Sequence, residues 1–235
     1  MGLLGKLFGK KNHTTETPAV PSGDARKGDD IVAELAPALK AYQDGRHDEA
    51  VALASPYADR FADANRLCAL AYSGQHHYVE AFPYWLALFQ QEPTAHNALQ
   101  LATTSVVCGE VDRGEAWLMK FDEINQASRE MSPVMARTNF ISALNQAGRQ
   151  VEALPYLTWV RDVYAQVRIT DSHYLWSRGV PFFPSFLERS EANLRTHMPV
   201  AEMAAWYGEL SGKLDEEGEA QLAAWIQRLG ATAAS

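Results

Sequence analysis

The sequence has little cysteine, no long apolar run and no excess of basic charge, and each of these absences excludes a class of protein. Two cysteines in 235 residues provide no disulfide framework, and both lie in helical apolar patterns, as is typical of a reducing compartment. No stretch approaches the roughly 18 consecutive apolar residues of a membrane span. A net charge of −8 argues against nucleic-acid binding, which depends on lysine and arginine. We therefore expect a cytoplasmic protein with no nucleic-acid partner.

The composition is that of an ordinary folded protein, but its charge is unevenly distributed along the chain. Hydrophobic residues make up 47% of the sequence, enough for a core that needs neither metal nor disulfide. Residues 1–28 carry five basic and two acidic side chains, a net charge of +3. Residues 29–235 carry 16 basic and 27 acidic side chains, a net charge of −11. A basic N-terminal segment therefore precedes an acidic body.

The N-terminal segment divides into two parts. Residues 1–11 place apolar side chains on one helical face and lysines elsewhere, a basic amphipathic pattern that can bind an anionic membrane surface or a groove on a partner. Residues 12–28 are rich in threonine, proline, serine and glycine, and this composition predicts a flexible linker. The candidate membrane-contact residues are Leu3, Leu4, Lys6, Leu7, Phe8, Lys10 and Lys11.

From residue 29 onward the apolar residues recur at helical spacing, and no alternating run is long enough to predict a strand. The body is therefore predicted to be all-α. Glu-Ala pairs recur along it, and each follows a glycine that can close one helix before a second helix begins. Each alanine would let two helices approach closely. The alanines and their glycines are Ala50 with Gly45, Ala81 with Gly74, Ala116 with Gly109, and Ala153 with Gly148.

This arrangement resembles a degenerate tetratricopeptide repeat. The second unit matches best, because Gly74 stands at the turn, Ala81 is the small packing residue, and Pro93 closes the unit twelve residues later. The other units lack the closing proline. The resemblance covers residues 29–167 and implies about four helix pairs stacked as an α-solenoid, whose concave surface binds a peptide or protein segment. A more general α-solenoid remains the alternative.

A different pattern follows the repeats. Residues 168–184 are rich in aromatic side chains and are interrupted by Gly179, Pro181 and Pro184, which predicts an aromatic loop rather than a helix. This loop either binds the partner or covers the open end of the solenoid. Three further helices are predicted at 185–197, 199–210 and 215–229, as a C-terminal helical cap. The predicted organisation is thus 1–11, 12–28, 29–167 and 168–235.

Neither a catalytic constellation nor a metal-ligand pattern is present in the sequence. The histidines and cysteines lack the paired spacings of a zinc site, and the motifs of nucleophilic hydrolases and phosphate-binding loops do not occur. We expect no enzymatic activity, no cofactor and no metal. Polar and aromatic side chains on the first helix of each unit and in the aromatic loop are candidates for partner binding: Tyr42, Tyr72, Asn139, Ser142, Asn145, Gln146, Tyr174, Trp176 and Arg178.

The sequence as a whole predicts a non-enzymatic protein-protein interaction module of a bacterial type. An adaptor, a chaperone or an immunity-type binder would hold one protein partner in the concave face of such a helical repeat. The acidic body favours a basic partner, because complementary charge speeds encounter. The alternative is a peripheral assembly factor, tethered through residues 1–11 at the inner face of the membrane. Loss of membrane binding on deletion of residues 1–28 would distinguish the two.

Overall fold

Residues 25–233 are described by the structure, a computed structural model, and all regular secondary structure in this range is helical. Twelve α-helices and no strand occur among these residues, which confirms the all-α prediction. The fold divides into two compact units, with the boundary between Asn97 and Ala98. This boundary lies inside the fifth helix, whereas the sequence placed its main division between residues 167 and 168.

The first unit is built from four helices and a short 3-10 helix at Ser55–Tyr57. Small side chains let its helices approach closely, and Ala64 and Cys68 are fully buried beside Leu67 in its core. A second buried cluster of three alanines joins α1, α2 and α3. The helices are α1 (Ala25–Gln43), α2 (His47–Ala54), α3 (Ala62–Gly74) and α4 (Tyr78–Gln91).

The start of α1 changes the extent of the predicted linker. Because α1 begins at Ala25, residues 25–28 are helical and do not belong to a flexible segment. The rest of the predicted linker, residues 12–24, lies outside the described residues, as does the amphipathic segment 1–11.

The second unit begins within α5 and contains the remaining helices. Its core is more aromatic than that of the first unit, with Phe121, Phe140, Tyr164, Phe183 and Tyr207 fully buried. The helices are α5 (Ala95–Val107), α6 (Val111–Ser128), α7 (Pro133–Gln146), α8 (Leu154–Val167), α9 (Ser172–Ser177), α10 (Phe183–Leu194), α11 (Val200–Gly208) and α12 (Glu216–Ala233).

The same backbone turn closes the first helix of four helix pairs, at the ends of α1, α3, α5 and α7, and it occurs again at Gly179 after α9. In each of the four pairs one residue of the turn has a left-handed backbone conformation, and the next residue donates its N–H to the carbonyl five positions back at 2.8–2.9 Å. This is the Schellman arrangement that closes a helix and starts a new direction. The left-handed residues are Gly45, His76, Gly109 and Gly148.

The second of these turns differs from the sequence prediction. Gly74 is the last residue of α3 and does not have a left-handed conformation. His76 takes that conformation instead, with φ of 62°, and its ring Nδ1 lies 2.9 Å from the hydroxyl of Tyr78. A left-handed backbone costs a non-glycine residue roughly 1–2 kcal/mol. The second turn therefore has the same geometry as the other three, although its left-handed residue is His76 and not a glycine.

The third predicted repeat, formed by α5 and α6, also differs in the structure from the sequence prediction. Its predicted packing residue, Ala116, is exposed, whereas Gly114 is buried. Gly114 donates its N–H to Glu110 in the third turn just as Ala81 donates to His77 in the second, both at 3.0 Å. A Cβ at Gly114 would lie 2.5 Å from the Val106 side chain. At Gly114, α6 thus approaches α5 too closely for any side chain.

With this alignment, one spacing is common to the four helix pairs. Seven residues before each left-handed residue is a buried side chain on the first helix, and a buried small residue follows it twelve positions later on the second helix. The pairs are Ala38 and Ala50, Ala69 and Ala81, Ala102 and Gly114, and Ile141 and Ala153.

The predicted aromatic loop at 168–184 contains a helix and is not wholly irregular. Asp171 caps the six-residue α9, its carboxylate accepting the N–H of Tyr174 at 2.8 Å. The prediction of a continuous loop is wrong because Leu175, in the middle of this segment, is fully buried and requires an ordered backbone. The three helices predicted after the loop correspond to α10, α11 and α12, with bounds shifted by a few residues.

Candidate functional site

A concave surface of the second unit lies between α7 and α10. Two adjoining cavities, of about 340 Å³ and 330 Å³, share the lining residues Thr138, Pro181 and Arg189. Because they share these residues, they form one continuous depression, which we call the α7–α10 groove.

One wall of the groove is a stripe of side chains on α7. Met135, Thr138, Ser142 and Asn145 follow one another at intervals of three or four residues, which places them on one face of the helix. The hydroxyl of Thr138 donates to the carbonyl of Val134 at 2.9 Å, and that of Ser142 donates to the carbonyl of Thr138 at 2.9 Å. Because their hydrogens are used within the helix, these hydroxyls can offer a ligand only acceptor oxygens.

The opposite wall comes from α10 and the residues before it. Pro181 and Phe182 lead into the helix, and Ser185, Phe186 and Arg189 continue the stripe at helical spacing. Phe186 is buried, whereas Phe182 is 45% exposed. The wall therefore combines apolar surface with a single guanidinium.

Hydrogen bonds connect α7 to the α9–α10 region at both ends of the groove. The Ser132 hydroxyl, which precedes α7, donates to the carbonyl of Gly179 at 3.2 Å. Near the other end, the side-chain amide of Asn193 donates to the side-chain oxygen of Asn145. The partners are 47 and 48 residues apart, so α7 and α10 run in the same direction. The groove is thus held at a fixed width by bonds within the fold.

Hydrogen bonds also connect α8 to α11. Trp206 of α11 donates its indole N–H to the hydroxyl of Thr158 of α8 at 3.1 Å, again across 48 residues. Arg161 of α8 donates to the carbonyl of Trp206 at 3.0 Å. The helices α10 and α11 therefore lie beside α7 and α8, and the predicted role of this C-terminal region as a cap stays a prediction.

The segment between α8 and α10 presents two different faces. Leu175 and Phe183 are fully buried, and the hydroxyl of the buried Tyr164 donates to the carbonyl of Pro181 at 2.6 Å. Trp176, the neighbour of Leu175, is 70% exposed and lines the groove. The segment that was predicted either to cover a hydrophobic end or to bind a partner thus packs with one face and leaves a large aromatic side chain at the groove with the other.

Of the residues predicted in the second unit, three line the groove and four do not. Ser142, Asn145 and Trp176 line it. Tyr174 is half-buried, and the guanidinium of Arg178 lies 5.3 Å from the centre of its ring. Asn139 and Gln146 are exposed on α7 outside the lining.

Met135, Phe186 and Arg189 are among the contributors to the groove that sequence reasoning missed. The helical spacing of Phe182, just before α10, with Phe186 and Arg189 on α10 was the available signal for one wall. That signal does not indicate which earlier helix provides the opposite wall.

The two predicted residues of the first unit are packing residues there. Tyr42 is half-buried against both core clusters, with its ring centre 5.5 Å from that of His47. Tyr72 stacks on Tyr84 with ring centres 5.8 Å apart. The candidate membrane-contact residues of segment 1–11 lie outside the described residues.

Side chains able to bind a metal ion are dispersed over the described residues, and the thiol of Cys68 is buried. Within residues 25–233, no three histidine, cysteine, aspartate or glutamate side chains converge as a metal site would require. Burial raises the pKa of the Cys68 thiol to about 12, so this thiol is protonated at neutral pH. No helix in the described part of the chain has the length and apolar character needed to span a membrane.

Comparison with known proteins gives no family for this chain. No model of a known protein family matches it, and a search of curated proteins finds no similar sequence.

Proposed function

We propose that this chain is a non-enzymatic protein-protein interaction module that binds a segment of a protein partner in the α7–α10 groove. The observation that carries the proposal is the exposure of Trp176, at 70%, beside the partly exposed Phe182 and Met135 along one groove. Clustered exposed apolar side chains mark interaction surfaces, and tryptophan and arginine are the residues most often decisive in protein interfaces.

The dimensions and polar groups of the groove suit an extended peptide. The α7 stripe runs from Met135 to Asn145, about 15 Å along the helix axis, which corresponds to about four or five extended residues. The hydroxyl oxygens of Thr138 and Ser142 can accept backbone N–H groups from such a peptide. The side-chain NH2 of Asn145, whose oxygen is occupied by Asn193, can donate to a backbone carbonyl.

The repeated helix pairs support a more specific architectural proposal. We propose that they are degenerate tetratricopeptide-type hairpins stacked as a solenoid, in which the first helix of each pair contributes to the binding face. The four matching turns and the buried residues twelve positions apart support this proposal. Under it, the groove is the part of the binding face that the second unit provides.

The charge of the chain bears on the kind of partner. With a net charge of −8, the protein would encounter a basic partner fastest, because long-range complementarity raises the association rate. We propose an adaptor, a chaperone or an immunity-type binder acting in the cytoplasm on such a protein. The peripheral-membrane alternative depends on residues 1–11, and it stays a prediction from the sequence.

The proposed function is tested by capturing partners with variants of the groove. Affinity capture from the native cell with the wild type is compared with capture by Trp176→Ala and Met135→Ala. The matched control is Met119→Ala, because Met119 is a solvent-exposed methionine on α6 that lies outside the groove. We expect the two groove variants to lose a partner that Met119→Ala retains, with circular dichroism melting unchanged in all three. Retention of every partner by the groove variants would contradict the proposal.

A further inference from the structure

We propose that the α7–α10 groove selects an acidic side chain, and that its occupant is an extended segment of the partner in which an aspartate or glutamate pairs with Arg189. In this segment a large apolar residue precedes or follows the acid on the Trp176 side, and an aliphatic residue lies on the other side. This inference rests on the proposed function, since it specifies which segments the groove accepts.

The unpaired state of Arg189 is the first observation. In the part of the chain that the structure describes, Arg189 makes neither a hydrogen bond nor an ion pair. Other arginines of the same unit have carboxylate partners: Arg137 pairs with Asp122, and Arg195 and Arg228 both pair with Glu191. Arg189 is exposed at the groove and has no carboxylate partner there, so its guanidinium is available to a carboxylate of a ligand.

The lining of the groove is the second observation. Of the residues that line it, Arg189 alone is charged, and the others are apolar, hydroxyl or amide side chains. A guanidinium binds a carboxylate through two parallel N–H···O bonds. A basic side chain placed here would meet a like charge and no carboxylate. The groove therefore discriminates by charge sign at one point.

The position of Arg189 gives the order of side chains in the ligand. Arg189 lines both cavities and so lies between them. On one side are Trp176 and Phe182, which can receive a large apolar side chain. On the other side are Leu157 and Val160, which suit an aliphatic one. The acid is thus central in the bound segment, with an apolar residue on each side.

A net-basic partner is compatible with this local preference. Long-range attraction depends on the summed charge of both molecules and is screened over about 10 Å at 0.1 M salt. Pairing at Arg189 depends on one carboxylate at contact distance. The two terms act at different ranges, so a basic protein can present an acidic residue within the segment that binds.

The test is a selection of displayed random peptides, about seven residues long to span the groove with flanks, on the immobilised full chain. We expect the enriched peptides to contain an aspartate or glutamate between apolar residues. A synthetic peptide of the enriched sequence is then compared with its Asp→Asn or Glu→Gln form. Binding to the wild type should fall about two- to fivefold, the range for an ion pair at an exposed arginine.

Three variants of the chain complete the experiment. With Arg189→Gln, the acidic and amide peptides should bind equally, and Arg189→Lys should restore part of the preference. The charge-matched control Lys213→Gln, at an exposed lysine of the same unit, should behave as the wild type.

The possible outcomes separate this inference from the proposed function. Peptides that lose binding to Trp176→Ala but do not require an acid would overturn the inference and leave the proposed function standing. Failure to enrich any peptide that depends on Trp176 would count against both. Competition by a synthetic peptide of residues 12–24, or a dimer in sedimentation that Arg189→Gln dissociates, would assign the groove to this chain itself and overturn the inference.

Discussion

Close approach of helices in this protein depends on single small residues at defined positions. Gly114 is the extreme case, because an added Cβ would meet the Val106 side chain at 2.5 Å and the carbonyl oxygen of Ala102 at 2.9 Å. Backbone atoms cannot move aside as a flexible side chain can. The cost of a methyl group at this position is therefore steric and exceeds any gain in helix propensity.

We predict that Gly114→Ala destabilises the fold by about 1–3 kcal/mol, the usual cost of overpacking. Gly230→Ala is the matched control, since Gly230 lies in α12 with no atom within 4 Å of the added Cβ. That substitution should stabilise slightly or have no effect. Ala116→Leu, at the exposed alanine two positions from Gly114, should change stability by less than about 0.5 kcal/mol. Urea unfolding measures all three, and a larger loss for Ala116→Leu than for Gly114→Ala would contradict the structural alignment.

At the scale of elements, α12 is joined to the end of α8 through one carboxylate. Asp215, just before α12, accepts the N–H of Thr170 at 2.7 Å, the hydroxyl of Thr170, and the N–H of Gly218 at 2.9 Å. Burial by itself would raise the pKa of Asp215, but these hydrogen bonds outweigh it and lower the pKa below its usual value of 3.8. The ionised form is therefore the one that the fold stabilises.

This lowered pKa predicts an acid dependence of stability. The folded state binds the Asp215 proton more weakly than the unfolded state does, so its contribution is present above about pH 4 and is lost as the pH falls through the folded pKa. We expect Asp215→Asn to lower the free energy of unfolding at pH 7, with the difference from the wild type shrinking below pH 4. Urea unfolding between pH 3 and pH 7 measures this, with Glu216→Gln as the neighbouring control. A difference that stays constant to the acid limit of folding would contradict the assignment.

Most elements were predictable because helical periodicity is a local property. The predicted helix at 199–210 corresponds to α11 (Val200–Gly208), and that at 215–229 corresponds to α12 (Glu216–Ala233). The short α9 was missed because Gly179 and the prolines after it indicate a break. The burial of Leu175, which orders α9, depends on tertiary packing that cannot be read from the local sequence.

The candidate site was predictable only in part, for the same physical reason. Ser142, Asn145 and Trp176 were found because a helical face and an aromatic cluster are visible in the sequence. Arg189 was missed because a single arginine on a helix has the pattern of an ordinary solvated charge. Its significance comes from Thr138, about 50 positions earlier, which lines the same groove. Likewise, the Glu-Ala pair at Ala116 suggested an alignment that the packing at Gly114 corrects.

For the whole molecule, the net charge of −8 and the single guanidinium of the groove should have separable effects on binding. We predict that lysines added to both ends of a groove-binding peptide raise its association rate at low salt, because the acidic surface attracts them. The dissociation rate and the requirement for a central acid should change little. Stopped-flow mixing over a range of salt concentrations measures the rates, with glutamine at the same positions as the control. An equal effect of lysine and glutamine would contradict this prediction.

The turn spacing has a consequence for how this chain can change in length. Within each hairpin the two buried residues stay twelve positions apart, whereas successive left-handed residues are 31, 33 and 39 positions apart. The connections between hairpins are nearly constant at three or four residues, so the variation falls in the second helix beyond its buried small residue: α2 with its 3-10 extension ends at Tyr57, α4 at Gln91 and α6 at Ser128. Insertions and deletions should therefore be tolerated at the far end of the second helix and rejected at the turn between the two buried residues, which makes the length of the second helix the dimension in which this protein can change.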